Sequence, residues 1–190
     1  AHTADAVRRI YAAKNRSYGK PTGIVGNAWL HRELHILPEA TMTMIDSVTR
    51  AHDLPLAVIA PFRREHPLLQ AMDPFVFGNA VKGDTLNILL NAGDLRNRVA
   101  ELAVSAGRLF VGSSANTSLK GSRYAVADIE AEVLGIADVV VDYGPSRYRS
   151  DDGSSSTMID FTTFRVQRAG VCYNEIAAVL AQQFGVTLSR

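Results

Sequence analysis

Short apolar runs with strand propensity lie between segments of helical periodicity, and their irregular order is the strongest constraint on the fold. Turn residues bound these runs, which predict strands at 22–25, 56–60, 85–90, 109–111, 137–141, 157–161 and 164–167. Helices separate some of these strands, whereas short connections separate others. Strict alternation of strand and helix is therefore excluded. The pattern predicts an α/β (α+β) fold in which helices flank a mixed parallel and antiparallel sheet.

The first predicted helix carries an unusual lysine. Thr3 can cap this helix, and Val7 and Tyr11 follow at helical spacing. Lys14 lies seven residues after Val7, so the spacing places it on the same inward face, where a lysine is uncommon. Residues 6–20 include five basic side chains and no acidic one. The end of this helix is therefore predicted to be locally basic.

Further helices are predicted within 28–52, where Pro38 divides the segment in two, and within 94–107, 126–134 and 174–184. The predicted core side chains of the segment at 28–52 are Trp29, Leu30, Leu34, Ile45 and Val48.

His31 and His35 are one helical turn apart and share a helix face. Glu33 lies two residues after His31, an order that matches neither of the known two-histidine zinc motifs, and no third ligand is evident. We therefore expect a solvated helix face, and no metal ligand is predicted among the protein side chains.

Composition excludes several classes of protein. The chain has 190 residues, of which 47% are hydrophobic, so a single domain over residues 1–190 is predicted. A net charge of +1 argues against a general electrostatic nucleic-acid binder. The lone Cys172 excludes a disulfide framework within one chain. No apolar run approaches the roughly 20 residues of a membrane span, and a secretory signal pattern is absent, so we expect a cytoplasmic protein with no membrane partner.

A polar turn follows the predicted strand at 109–111. The sequence Gly112-Ser113-Ser114-Ala115-Asn116 places hydroxyls, an amide and backbone N–H groups together where the strand ends. Such groups hold phosphate or carboxylate oxygens, although a turn that is bonded to its own backbone has the same composition. A serine nucleophile elbow is not indicated, because Asn116 replaces the second glycine of that motif.

Three other polar segments accompany this turn. They are Lys14-Asn15-Arg16 after the first helix, residues 154–160 at the start of a strand, and Arg168-Ala169-Gly170 at the end of the next. Together they provide cations, hydroxyls and an amide, which suit a polyanionic nucleotide. Nucleotidyl transfer depends mainly on positioning and charge stabilisation, usually with Mg²⁺ bridging the phosphates.

In this order, the segments resemble the YrdC-like family, the threonylcarbamoyl-adenylate synthases. The family pattern has Lys-x-Arg and then Pro after a first helix, Ser-x-Asn after a strand, a Ser-Thr-hydrophobic-hydrophobic-Asp strand, and Arg-x-Gly before the last helix. This chain supplies Lys14-Asn15-Arg16, Lys20-Pro21, Ser114-Ala115-Asn116, Ser156-Thr157-Met158-Ile159-Asp160 and Arg168-Ala169-Gly170. The similarity extends from about residue 3 to the final helix.

The resemblance implies a twisted mixed sheet with a concave basic cleft. It also implies a nucleotidyltransferase that converts L-threonine, bicarbonate and ATP with Mg²⁺ to threonylcarbamoyl-AMP and pyrophosphate, for the t6A modification of tRNA adenosine-37. The implied partners are these substrates, together with tRNA or tRNA-modification proteins. The catalytic and nucleotide-binding residues carried over are Lys14, Arg16, Ser114 and Asn116. The resemblance also implies that Ser156 and Thr157 line the same cleft and contact the nucleotide.

The chain departs from the family pattern at three points. The family's Pro-Thr-Asp-Thr-x-Tyr-Gly-Leu strand, which helps to bind threonine, is expected to be missing from residues 1–190. The strand Asn87-Ile88-Leu89-Leu90-Asn91 has no arginine where the family has Ala-Val-Arg-x-Pro, and Leu119 replaces a glycine.

Two alternatives to a threonine-specific enzyme therefore stay open. One is a non-catalytic RNA- or nucleotide-binding paralogue, in which Arg147, Arg149 and Arg168 are the candidate contacts to RNA or phosphate. The other is a carbamoyl transferase with a different acceptor.

Overall fold

The computed structural model describes residues 2–190, which form eight α-helices and seven strands. The helices are α1 (Ala4–Ala13), α2 (Ala28–Leu34), α3 (Glu39–Asp46), α4 (Pro67–Gln70), α5 (Pro74–Ala80), α6 (Asp94–Ser105), α7 (Ala131–Leu134) and α8 (Tyr173–Phe184). The strands are β1 (Gly23–Val25), β2 (Leu56–Pro61), β3 (Val81–Lys82), β4 (Thr85–Leu90), β5 (Phe110–Gly112), β6 (Met158–Asp160) and β7 (Arg165–Arg168). A π-helical turn continues α3, and a 3₁₀ turn precedes α7.

The strands form one mixed sheet in the order β5-β1-β4-β2-β6-β7, and β3 pairs with the start of β4. β1 is parallel to β4 and β2 is parallel to β6, whereas all the other pairs are antiparallel. The predicted mixed sheet flanked by helices is therefore confirmed. The six predicted strands at 22–25, 56–60, 85–90, 109–111, 157–161 and 164–167 each coincide with an observed strand to within two residues at either end.

A row of four aliphatic side chains crosses the middle of this sheet. Ile24 is the register partner of Ile88, which also faces Val58, and Val58 in turn pairs with Ile159. All four side chains are fully buried. Residues on one face of a sheet alternate along each strand, so the alternating burial of β4 turns this row towards the helices. The row anchors the core and fixes the register of the four central strands.

Two predictions about apolar residues are wrong. Trp29 is 51% exposed, because the short helix α2 turns Leu30 and Leu34 inward and leaves its neighbour outside. The apolar run at 137–141 is not a strand, and Val139 within it is 78% exposed. No strand of residues 2–190 pairs with this run, so it lacks the ladder of backbone hydrogen bonds that a strand requires.

His31 and His35 form a fully buried pair, and the predicted solvated face is therefore wrong. Their Nδ1 atoms are 2.7 Å apart, and His35 Nε2 lies 3.1 Å from the carbonyl oxygen of Leu86. A carbonyl only accepts, so the Nε2 of His35 carries a proton and its Nδ1 accepts from the Nδ1–H of His31. The His35 ring is thus neutral. Burial lowers the pKa of His31 to about 4 and that of His35 to about 3.

This histidine pair predicts a loss of stability in mild acid. In the unfolded chain both imidazoles regain a pKa near 6.5, so between that pH and about 4 the unfolded state binds protons that the folded state does not. We expect the free energy of unfolding to fall steadily as the pH is lowered from 7 towards 4. Urea unfolding at a series of pH values measures this slope.

The matched control is His52→Gln, because His52 is exposed. This variant should keep the wild-type slope, whereas the double variant His31→Leu/His35→Leu should flatten it. An NMR titration of the folded protein in which either buried imidazole titrates near 6.5 would contradict the prediction.

Candidate functional site

The pairing of β1 with β5 brings two distant polar segments together. These strands are antiparallel, and Gly23 at the start of β1 faces Gly112 at the end of β5. The segment 14–22, which enters β1, therefore lies at the same end of the sheet as the turn 113–118, which leaves β5. The two segments are about 100 residues apart in the sequence, and the register of β1 with β5 brings them together.

Lys14 joins the two segments directly. Its side chain is 3% exposed, as the helical spacing predicts for an inward position. The Nζ atom donates hydrogen bonds to the carbonyl oxygens of Ser114 and Asn116, and it lies 3.4 Å from Asn116 Oδ1. The backbone carbonyl of Lys14 accepts from Ser118 N at 2.9 Å. Lys14 thus holds the turn through both its side chain and its backbone.

The charge of the Lys14 ammonium responds to three influences. The pKa of Lys14 is lowered to about 8, chiefly by burial and also by the nearby positive charge of Arg16, while the negative charge of Glu130 opposes both. The ammonium is therefore mainly protonated at pH 7 and loses its proton in mildly alkaline solution. Because this pKa lies close to neutral pH, a change in neighbouring charge alters the protonated fraction of Lys14.

Arg16 lies beside this site without touching the turn. Its guanidinium donates to the carbonyl oxygens of Lys20 at 3.3 Å and Pro21 at 2.7 Å, and it lies 5.6 Å from the ring centre of Tyr11. The Tyr11 hydroxyl donates to the same Lys20 carbonyl at 2.6 Å. These bonds order the loop 15–21. The guanidinium of Arg16 is therefore close enough to Lys14 to affect its charge. The hydrogen bonds to the turn come from Lys14.

Ser114 and Asn116 occupy different environments within the turn. Ser114 is exposed, whereas Asn116 is only 7% exposed. The amide of Asn116 donates to the Thr117 carbonyl at 2.7 Å, and its backbone N–H donates to the Ser114 carbonyl at 3.1 Å. The turn is therefore partly bonded to its own backbone. Its serine faces solvent next to the buried ammonium.

The sequence does not reveal the ion pair of Glu130 with Arg123, which contacts the turn through Thr117. Glu130 binds Arg123 with an Oε1–Nη2 distance of 2.7 Å, and its other oxygen accepts from Thr117 N at 3.4 Å. Arg123 is the main reason that the pKa of Glu130 falls to about 2. The one local signal is that Glu130 precedes the short helix α7, a position where acidic residues are common. That signal indicates a helix start and says nothing of the turn.

The segment after the turn packs against the polar loop 144–155. Ser122 N donates to the Gly153 carbonyl at 2.7 Å, and the Tyr124 hydroxyl contacts Ser150 Oγ at 2.9 Å and the Ser154 carbonyl. These contacts join the loop to residues 122–124, which follow the turn. The loop then forms one wall of an open cleft of about 400 Å³, and residues 169–175 form the other.

Ser156 and Thr157 connect the loop to this second wall. Thr157 is fully buried, and its hydroxyl donates to the Val171 carbonyl at 2.9 Å and accepts from Gly170 N at 3.0 Å. The Ser156 carbonyl accepts from Arg168 Nε at 2.9 Å. The Thr157 hydroxyl thus acts as both donor and acceptor and joins the start of β6 to residues 170–171. Ser156 is partly exposed beside them.

The three arginines predicted as RNA or phosphate contacts are held apart. Arg147 forms an ion pair with Asp53 at 2.5 Å. Asn91 also binds this carboxylate at 2.9 Å, and these two partners, Asn91 foremost, lower the pKa of Asp53. Arg149 is exposed, and Arg168 binds the backbone of Ser156. No contact joins these three side chains to one another among the described residues.

Residues 2–190 contain no cluster of three or more His, Cys, Asp or Glu side chains arranged to hold a metal ion. Within the same residues, every helix is too short or too polar to cross a bilayer.

The chain matches the model of the Sua5/YciO/YrdC family, described as telomere recombination, over residues 1–170. No curated protein matches it. Two solved structures of P. abyssi Sua5 are similar to it at 23% identity, one a double-alanine variant with a TM-score of 0.70 and one in complex with L-threonine with a TM-score of 0.68. Each covers all of this chain, which spans about half of theirs, 50% and 51%.

A hypothetical protein from Streptococcus mutans UA159 is also similar, with a TM-score of 0.61 and 19% identity over 100% of this chain and 83% of that one. These three likenesses confirm the Sua5/YrdC-like fold with its mixed sheet.

The contact between the two cleft walls predicts a steric limit at Gly170. A Cβ atom added there would lie 1.9 Å from the backbone oxygen of Ser155, so the backbone must shift. We expect Gly170→Ala to lower the free energy of unfolding by about 2 kcal/mol or more. The control is Gly78→Ala in α5, where a Cβ would meet nothing within 4 Å and helix propensity should raise stability by about 0.5–1 kcal/mol. Equal effects of the two substitutions in urea unfolding would contradict this packing.

Proposed function

The chain belongs to the Sua5/YciO/YrdC family, and from this and the geometry of its site we propose that it is a nucleotidyltransferase that forms L-threonylcarbamoyladenylate from L-threonine, bicarbonate and ATP. One observation carries the proposal. Lys14 is buried beneath the Ser114–Asn116 turn, so two motifs that are far apart in the chain form one cationic site. The intermediate would serve the t6A modification of tRNA.

The proposed step is an attack on the α-phosphate of ATP. The carbamate forms when the threonine nitrogen bonds to the carbon of bicarbonate with loss of water. A carbamate oxygen then forms the new bond to the α-phosphorus, the bond from this phosphorus to the oxygen that bridges the α- and β-phosphates breaks, and pyrophosphate leaves with that electron pair. Mg²⁺ enters with ATP as part of the substrate. Cations placed beforehand offset the charge that develops on the phosphate oxygens.

The chain offers defined groups for this task. An ammonium has three N–H donors, and two of those on Lys14 are bonded to backbone carbonyls, so the third, with only Asn116 Oδ1 at 3.4 Å, is the donor that remains for a phosphate oxygen. Arg16 adds a second positive charge nearby. The exposed Ser114 supplies a hydroxyl at the same place.

Threonine as the acceptor is supported by the P. abyssi Sua5 structure in complex with L-threonine. Leu89 in β4 argues against threonine as the acceptor, because the family pattern has an arginine at this position. A panel of amino acids offered with bicarbonate and ATP therefore decides the acceptor. Turnover with an acceptor other than threonine would identify the alternative carbamoyl transferase.

Removing the Lys14 charge tests the activity itself. We expect Lys14→Met to lower the rate of pyrophosphate release by about 100-fold or more, because a preorganised cation is lost from the phosphate site. The control is Lys120→Met, which makes the same chemical change at an exposed position beyond the turn. Circular dichroism of both variants monitors the fold. Absence of ATP turnover with every acceptor in the wild-type protein would reject the enzyme.

A second candidate function, RNA binding, is favoured by an exposed aromatic ring. Tyr18 is 54% exposed and stacks on Tyr11, with ring centres 4.7 Å apart and planes 11° apart. Arg8 lies 4.5 Å from the ring centre of the adjacent Phe75, and Lys20 follows in the same loop. Exposed aromatic rings flanked by cations bind unpaired bases of RNA.

This surface predicts the behaviour of Tyr18→Ala. We expect the substitution to weaken tRNA binding about tenfold, as for the loss of one base-stacking contact. Fluorescence anisotropy at a fixed salt concentration measures the effect, and Tyr143→Ala is the control because Tyr143 is even more exposed, at 83%. Equal affinities of the two variants and the wild type would remove Tyr18 from any RNA interface. RNA binding without ATP turnover would favour the binding protein over the enzyme.

A further inference from the structure

The peptide group between Asn116 and Thr117 lies between two opposite charges. Its carbonyl oxygen accepts from the ammonium of Lys14, and its N–H donates to the carboxylate of Glu130 at 3.4 Å. In a trans peptide these two groups point in opposite directions. The ammonium and the carboxylate therefore contact opposite ends of the peptide dipole, each at the end that it stabilises.

Glu130 is itself fixed from a third direction. Arg123 binds its other oxygen at 2.7 Å and keeps the carboxyl ionised at neutral pH, with its pKa lowered to about 2. The side chain of Glu130 is 16% exposed, so water screens it only partly. The carboxylate is thus a permanent negative charge of defined orientation.

We propose that Glu130 is a positioning residue of the Lys14 site, whose carboxylate orients the 116–117 peptide and supplies the counter-charge of the buried ammonium. Its effect on catalysis rests on the proposed nucleotidyltransferase function. Its effect on the protonation of Lys14 is independent of that function.

The charged groups that act on Lys14 come from two segments. Arg16 follows α1 and disfavours the protonated ammonium, whereas Glu130 precedes α7 and favours it. Arg123 is paired with Glu130, and the turn 113–118 carries no charged side chain. Burial is the largest influence and disfavours the charge. Glu130 is thus the negative charge that opposes burial and Arg16 and raises the pKa of Lys14.

The test is to replace the charge while keeping the shape. Glu130→Gln retains an oxygen that can accept from Thr117 N but removes the negative charge. We expect the pKa of Lys14 to fall by about half a pH unit or more. NMR of protein labelled with ¹³C-lysine measures this directly, because the chain has four lysines and Lys14→Arg identifies the signal. The matched control, Glu132→Gln, removes an exposed charge from α7 and should leave Lys14 unchanged.

A second variant separates charge from anchoring. Glu130→Asp keeps the negative charge but shortens the side chain, so the pKa of Lys14 should stay near the wild-type value while KM for ATP rises. In Glu130→Gln the alkaline limb of the pH profile of kcat/KM should move to lower pH together with the Lys14 signal. A merely structural role would make the two substitutions shift Lys14 equally.

Two results would overturn the inference. One is an unchanged Lys14 titration in Glu130→Gln, and the other is an equal shift in Glu130→Asp. If ATP turnover is absent in the wild type, the proposed reaction fails. The NMR titration still decides the role of Glu130.

Discussion

The burial of one ammonium group is the condition on which the candidate site depends. An ammonium transferred from water to a protein interior costs several kcal/mol unless hydrogen bonds and a counter-charge compensate. At Lys14 the compensation comes from the carbonyls of Ser114 and Asn116 and from the charge of Glu130. None of these groups belongs to the helix that carries the lysine. The end of α1 and the turn after β5 must therefore reach their conformations together.

The strand register is what makes this mutual dependence feasible. β1 and β5 are each three residues long, and the Gly23–Gly112 pair sets where both polar segments begin. A slip of one residue would displace the turn by about 3.3 Å along the strand. It would also reverse the faces of β5 and expose side chains that are now buried. The pairing of the buried Ile24 with the buried Val111 of β5 opposes such a slip, so the core indirectly protects the geometry of the Lys14 site.

The sequence predicts features that depend on local geometry and misses those that depend on a distant partner. The inward position of Lys14 follows from helical spacing alone, and the strands at 56–60 and 85–90 follow from apolar runs between turn residues. The run at 137–141 has the same local pattern, but no neighbouring strand among residues 2–190 pairs with it. The role of Glu130 needs Arg123 and the Thr117 backbone, and the sequence cannot show that these three meet.

The positions of the cations distinguish the candidate functions. Arg147 is paired with Asp53, and Arg168 is bonded to the backbone of Ser156, so these two guanidinium groups stabilise loops on the side of β6 and β7. At the end of α1, by contrast, the positive charge of Arg16 lowers the pKa of Lys14. Two like charges held close together are unfavourable unless an anion offsets them. Glu130 is the one negative charge that acts on Lys14, and it is paired with Arg123, so Lys14 and Arg16 leave a net positive charge at the turn. This arrangement supports the proposal that a phosphate group of the nucleotide binds at the turn.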